Sequence, residues 1–531
     1  MAGRTVSTAH AGASSSCFRI LRKAAASVAA TGLVLGAGAV HAASADGAAT
    51  SARELFAAAY EDIDTVYIRD IRLDQLVVGG LDRALRNSGG LRLDRADGAV
   101  RLKRGATPIA RFDVPETPTP EAWASLTARV LTSSRTHAPA IMPESRSRQR
   151  ERVFNGILDE LDHYSRYSGA REARDNRARR DGFGGVGVRT DPGSDGLEVV
   201  SVVAGSPAAQ AGISPGATIV AVEGTSVAAI GTETAVDRLR GRVDTPVSLT
   251  VERAGSMRRE TMQLSRAFVV PRTVELTMRD NVARLTISGF NRDTAETLRA
   301  KIDHAAENAA NRLDGYILDL RDNPGGLLDE AVDVADLFLR EGRIVSTHGR
   351  HPDSHQYFDA DGPDTTGGAP VVVLINGASA SAAEIVAAAL QDGDRALVVG
   401  TASYGKGTIQ TVLRLPNTGE LTLTWARYHA PSGYTLAERG VMPDVCTSRA
   451  SGSGDGVLQT LRRGQQPIPR TVIQREIPHT DDARIDALRS HCPARSTTRK
   501  ADLTVARKLL RDRSLYRRAA AERHALLARK R

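Results

Sequence analysis

Between Pro370 and Gln410 the chain places serines and one lysine where they can do nucleophilic chemistry. The β-branched run Val371 to Ile375 reads as a buried strand, and Ala382 to Leu390 as a helix. The small residues between them, Asn376-Gly377-Ala378-Ser379-Ala380-Ser381, make a sharp strand-to-helix turn. Such a turn pushes a serine hydroxyl outward, and the first helical N–H groups face any oxyanion it creates. A second apolar run, Ala396 to Val399, leads into Tyr404-Gly405-Lys406-Gly407. A serine hydroxyl is a poor nucleophile until a base takes its proton. A solvated lysine, with a pKa of about 10.4, is almost wholly charged at neutral pH and cannot be that base. Burial disfavours the ammonium. Lys406 follows an apolar strand, lies between glycines and has no acid closer in sequence than Asp394.

The run ASASAAEI, followed by YGKG, resembles the carboxyl-terminal processing peptidases, or tail-specific proteases, which are serine proteases with a Ser-Lys dyad. By position the resemblance makes Ser381 the nucleophile and Lys406 the base. The family's assisting glutamine falls on Gln410, and positions four apart share a face on a strand. Ala383 and Tyr404 depart from the family's serine and phenylalanine, and neither removes a group the chemistry needs. Glu384 is expected to cap or anchor the first helical turn. Asp392 matches an aspartate implicated in some members, and equally reads as a turn residue after the helix.

A second family signature is Arg321-Asp322-Asn323-Pro324-Gly325-Gly326, behind the buried strand Tyr316 to Leu320. Alone, NPGG is an ordinary tight turn. With the other two motifs, it implies an oxyanion hole built from the N–H groups of Gly326 and Ala382, with Gly325 as the rival to Gly326. The resemblance covers roughly residues 150–446, including Leu161-Asp162-His163-Tyr164-Ser165-Arg166-Tyr167. It implies a crotonase/ClpP-like α/β core over 273–446.

Residues 181–266 resemble a PDZ domain. Phe183, Gly184, Gly185 and Val186 fit its glycine-rich carboxylate-binding loop, where consecutive N–H groups converge on a peptide's C-terminus and an exposed edge adds the peptide as a strand. Strand Val199 to Val203, the run Gly205-Ser206-Pro207-Ala208 and the turn Pro215-Gly216-Ala217 follow in the order of exported-protease PDZ modules.

These motifs need elements to hold them, and the chain is long enough for several domains. Residues 1–45 read as a secretory signal, with Arg19, Arg22 and Lys23 before an Ala/Gly-rich apolar run and small residues at Ala42 or Ala45. Residues 46–165 read as a helical domain interrupted by a hairpin around Asp97-Gly98. Removing the signal leaves two cysteines, Cys446 and Cys492, an even pair that an exported chain can join as a disulfide. Beyond Cys446 a Ser/Gly stretch precedes a basic helical tail, 457–531. From Arg495 to the end there are 13 Lys/Arg against 3 Asp/Glu, a surplus of +10 where the whole chain carries +9. That tail suits an anionic lipid surface, an acidic partner or the enzyme's own body. Nucleic acid is disfavoured by the export signal and by only two tryptophans.

His348, His351 and His355 cluster in a Gly/Asp/Pro-rich stretch and His429 follows a strand, none with a metal-ligand spacing such as H-E-x-x-H. The chain therefore reads as a multidomain α/β protein: an exported, periplasmic serine endopeptidase without cofactor or metal. It would capture unstructured C-terminal tails of envelope proteins, and family members sometimes work with a helical-repeat adaptor. The alternatives are a catalytically silent PDZ scaffold, against which Ser381, Lys406 and Gln410 argue together, and a crotonase-like acyl enzyme, against which the PDZ domain and secretion signal argue.

Overall fold

The structure, a computed structural model, describes residues 51–528 apart from 87–89, 138–144, 257, 310–312, 451, 465–476, 479 and 497–499. The secretory-signal reading of residues 1–45 lies outside the described residues.

Helix Ala52–Val66 starts at Ser51, whose side chain accepts the Glu54 N–H, and buries Leu55, Phe56, Ala59, Tyr60 and Ile63 on one face. It packs with helices Leu73–Arg86, Pro120–His137 and Arg146–Leu158. The segment read as one hairpin is a three-stranded meander, Leu91–Ala96, Ala99–Arg104 and Thr107–Asp113. Asp97 and Gly98 take the positive φ angles that a two-residue hairpin turn demands. The third strand was hidden because Pro108 and a bulge at Leu102/Lys103 break the alternation. This layer shares its core with Leu415, Leu421 and Leu423 of the C-terminal α/β region.

The PDZ domain is a sheet in the order Arg259–Ser265, Pro246–Glu252, Thr218–Val222, Leu197–Val202, Val188–Pro192, capped by helix Thr232–Leu239. Strand Val188–Pro192 is its edge.

The C-terminal α/β region is a six-stranded sheet in the order Val274–Arg279, Val282–Ile287, Gly315–Asp319, Val371–Ile375, Ala396–Gly400, Val445–Cys446. All neighbours after the first antiparallel pair run parallel. Both faces are apolar, so both need a cover. Leu318, Val371, Val373 and Val398 face helices Thr294–Glu307, Leu328–Asp336 and Ala382–Asp392. The alternate residues Ile317, Val372, Leu374, Leu397 and Val399 face Val505, Ala506, Leu509 and Leu510 of helix Lys500–Arg511, with Leu515 and Ala519 of the next helix. The basic tail thus spends its apolar stripe on the chain's own sheet. A disulfide joins Cys446, on the last strand, to Cys492, 46 residues on, with Cα atoms 5.9 Å apart.

Candidate active site

Ser381 ends the turn from strand Val371–Ile375 and begins helix Ala382–Asp392, with φ 57° and ψ −117°. A non-glycine residue at positive φ costs on the order of 1–3 kcal/mol and persists only where its neighbours enforce it. Glu384 does so here. Its Oε2 accepts the Ser381 N–H at 2.7 Å, while the Ser381 carbonyl accepts the N–H groups of Glu384 and Ile385 at 2.8 and 3.0 Å.

The R-D-N-P-G-G turn lies directly against Ser381. Ala380 donates its N–H to the Asn323 carbonyl at 2.9 Å, and Asn376 and Asp322 exchange two hydrogen bonds at 2.7 and 3.0 Å. Gly325 donates its N–H to Asn323 Oδ1 at 2.8 Å. The N–H groups of Gly326 and Ala382 have no acceptor among the described residues. Of the two candidate glycines, Gly326 is therefore the one with a donor to spare. A Cβ on it would lie 2.0 Å from the Phe290 carbonyl oxygen, so only glycine fits the turn against that backbone.

Lys406 sits on the loop before strand Thr408–Arg414, its approach permitted by Gly407, where a Cβ would meet Ala437 N at 2.1 Å. Its pKa is lowered to about 8, first by burial and then by the nearby Arg166 cation, with Glu384 and Asp162 pulling the other way. Nζ stands over the Tyr164 ring, 5.1 Å from its centroid, and no hydrogen bond joins it to Ser381 Oγ among the described residues.

Glu384 does much more than anchor a helical turn. It is fully buried, and besides Ser381 its carboxylate accepts Ser403 Oγ at 2.5 Å, the Gly405 N–H at 2.7 Å and the Lys406 N–H at 3.0 Å. One side chain thereby fixes the backbones of both Ser381 and Lys406. Burial pushes its pKa up to about 7 against the pull of these hydrogen bonds. Sequence distance hid this link, because Glu384 and Lys406 meet only when the sheet brings their loops together.

No hydrogen bond joins Gln410 to Lys406 among the described residues. A bulge lies between Ile409 and Gln410, Lys406 precedes the strand, and Gln410 Nε2 donates to Thr408 Oγ1 at 2.9 Å and Thr424 Oγ1 at 3.3 Å. Thr424 Oγ1 bonds Asp162, whose Oδ1 also accepts the Tyr164 and Ser165 N–H groups. Gln410 therefore belongs to the network that seats Tyr164, one step removed from the lysine. Asp392 is occupied elsewhere, accepting the Ser432 N–H at 2.9 Å and its hydroxyl at 2.5 Å. His348, His355 and His429 pack ring edge to ring face, and His351 lies beside Trp425. Among the described residues no group of three His, Cys, Asp or Glu is arranged to hold a metal.

In the PDZ domain, Phe183–Gly185 pairs with Ala267–Val269, the Val186 side chain is buried in the core, and Arg240 stacks on the Phe183 ring. The edge strand of the sheet begins at Val188, directly after the four residues expected to form the carboxylate-binding loop.

Residues 281–447 match the family model for peptidase family S41, and residues 198–253 match that for a PDZ domain. A carboxy-terminal-processing protease of Bartonella bacilliformis is 40% identical over 297 residues, covering 56% of this chain and 68% of that protein. The chain belongs to peptidase family S41. It is a serine-type peptidase akin to the carboxyl-terminal processing proteases. The corresponding protease of Synechocystis is 36% identical over 265 residues, 49% of this chain and 61% of its own. The carboxy-terminal processing protease CtpA of Bacillus subtilis is 33% identical over 302 residues, 55% of this S41 chain and 62% of its own. This chain thus spans about two-thirds of the length of these relatives. Among solved structures, a photosystem II D1 C-terminal processing protease aligns with 74% of this chain and 92% of its own, at 24% identity and a TM-score of 0.37.

Proposed function

We propose that this S41 protein is an exported endopeptidase that captures unstructured C-terminal tails through its PDZ domain and cleaves by a Ser-Lys acyl-enzyme mechanism. The observation that carries the reading is the juxtaposition at Ser381. A strained, outward serine adjoins two uncommitted N–H donors, and Glu384 ties it to a half-buried lysine whose amine is held nearer neutrality.

In the reaction the Lys406 amine leaves the Tyr164 ring and takes the Ser381 proton as Oγ attacks the scissile carbonyl. The oxyanion is received by the N–H groups of Gly326 and Ala382. Collapse breaks the C–N bond, the leaving amine takes its proton from Lys406, and an acyl-Ser381 ester remains. Water, deprotonated by the same amine, then hydrolyses the ester and restores the serine. A tail added beside Val188–Pro192 would be held by main-chain hydrogen bonds, with its carboxylate at the preceding glycine-rich turn. The disulfide suits an oxidising compartment such as the periplasm, in keeping with the signal read at 1–45. Envelope proteins are the substrate class that follows. Exposed Arg513, Arg517 and Arg518 of the tail leave a basic outer surface for an anionic envelope or an adaptor.

The test incubates wild type, Ser381→Ala and Lys406→Ala with an unfolded substrate bearing an apolar C-terminus, with chelator present. Cleavage by wild type alone, with tail binding kept by both variants and activity down at least about a thousandfold, fits the reading. Full activity in Lys406→Ala refutes the dyad, and binding without cleavage by wild type favours a scaffold.

A further inference from the structure

Behind the oxyanion turn lies a buried charge network that reaches into the C-terminal tail. Arg321, the first residue of the turn, is 7% exposed and grips Asp319 through Nε at 2.7 Å and Nη2 at 2.6 Å. Asp319 also accepts Arg284 Nε at 2.9 Å. Arg321 Nη1 donates to Oδ2 of Asp502 at 3.2 Å, and Thr447 Oγ1 donates to the other oxygen of Asp502 at 2.7 Å. Asp502 is 2% exposed and stands in the first turn of helix Lys500–Arg511. Two cations thus face two carboxylates; Arg321, Asp319 and Asp502 are buried, while the Arg284 side chain is 28% exposed, so Asp502 is the second carboxylate on a guanidinium that Asp319 already pairs.

Packing alone does not call for this carboxylate. Val505, Ala506, Leu509 and Leu510 already dock the helix on the sheet, and burying a charge among them costs desolvation. What the carboxylate does reach is the anchor of the turn. From Arg321 the chain passes through Asp322, held at φ 61° by Asn376, to the Gly326 donor five residues on, and Asn376 itself opens the loop to Ser381. The residues matching the S41 model end at 447, so the second carboxylate on Arg321 comes from outside the matched segment.

We propose that Asp502 is a positioning residue for the oxyanion turn, so that the C-terminal helix completes the catalytic apparatus through Arg321. The inference rests on the serine-peptidase reading above. Its test compares the full chain as wild type, Asp502→Asn, Asp502→Glu and Leu515→Ala, the last removing apolar packing from the tail without touching the network. kcat and KM are measured on a tail-bearing peptide, with tail affinity and Tm measured on the same samples.

Asp502→Asn is expected to lower kcat ten- to a hundredfold, the scale of a small misplacement of reacting groups, with KM and tail affinity within about twofold. Asp502→Glu should recover part of the loss, and Leu515→Ala should lose Tm but keep kcat per folded molecule. Wild-type kcat in folded Asp502→Asn overturns the inference. So does a loss of kcat that tracks Tm equally in Asp502→Asn and Leu515→Ala. Should Asp502→Asn fail to fold, Thr447→Val, which removes the other bond to Asp502, decides in its place: kcat at least about threefold lower supports positioning, and wild-type kcat overturns it. A wild type that cleaves nothing overturns the peptidase reading and this inference together. An active wild type beside an unaffected variant overturns this inference alone.

Discussion

The most exposed consequence of the proposed mechanism is its dependence on pH. In that mechanism Lys406 works only as the free amine, and burial beside Tyr164, with Arg166 nearby, brings its pKa down to about 8. The neutral fraction is then about one-tenth at pH 7 and about nine-tenths at pH 9, so kcat/KM should rise close to tenfold across that interval. The assay is the initial rate on a short peptide with no titrating side chain, checked at each pH for intact fold. Arg166→Gln removes a cation that disfavours the ammonium, so its inflection should move to higher pH.

The same shift makes a statement about stability. The folded pKa of about 8 lies below the unfolded value, so the folded state carries the cost of a buried charge at all pH values below it. Stability from this group therefore rises as pH climbs from the folded to the unfolded pKa. Lys406→Met should abolish activity and yet stabilise the fold at pH 7 by on the order of 1–3 kcal/mol in urea melts. A flat profile from pH 6 to 9 would refute this account. An inflection near 7 would point to Glu384 or a histidine, and one near 10.4 to a solvated lysine.

Gly326→Ala forces a Cβ to within 2.0 Å of the Phe290 carbonyl oxygen, so the turn must move and its N–H with it. kcat should fall by about a hundredfold or more, with tail affinity kept, and near-normal kcat would remove Gly326 from the oxyanion hole. Amidating the substrate's C-terminal carboxylate should raise KM for long tails far more than it lowers kcat, and no change would argue against capture at the PDZ edge. Cys492→Ser opens a loop of 46 residues and should cost about 4 kcal/mol by the chain-entropy estimate, read in denaturant melts. Equal stability of the reduced and oxidised protein would show that the bond is not needed.

Much of the site was legible because short spacing carries local geometry. The serine between an apolar strand and an alanine-rich helix, the NPGG turn and the glycine-flanked lysine each encode a loop whose conformation depends on adjacent residues. The apolar runs Val371 to Ile375 and Ala396 to Val399 likewise determined a sheet buried on both faces. Local pattern failed beside a backbone irregularity. Beside the bulge at Ile409/Gln410 the Gln410 side chain bonds Thr408 and Thr424, partners that spacing from Lys406 did not indicate. Residues distant in sequence were decided by the fold alone. Glu384 gathers Ser381, Ser403, Gly405 and Lys406, and Asp502 meets Arg321 across 181 residues, because parallel strands put their loop ends together and the exposed rear face of the sheet takes up the tail. Periodicity tells a helix which face is apolar and a strand that both are. Which helix covers which face, and which carboxylate is thereby buried against which arginine, is settled only when the surfaces meet.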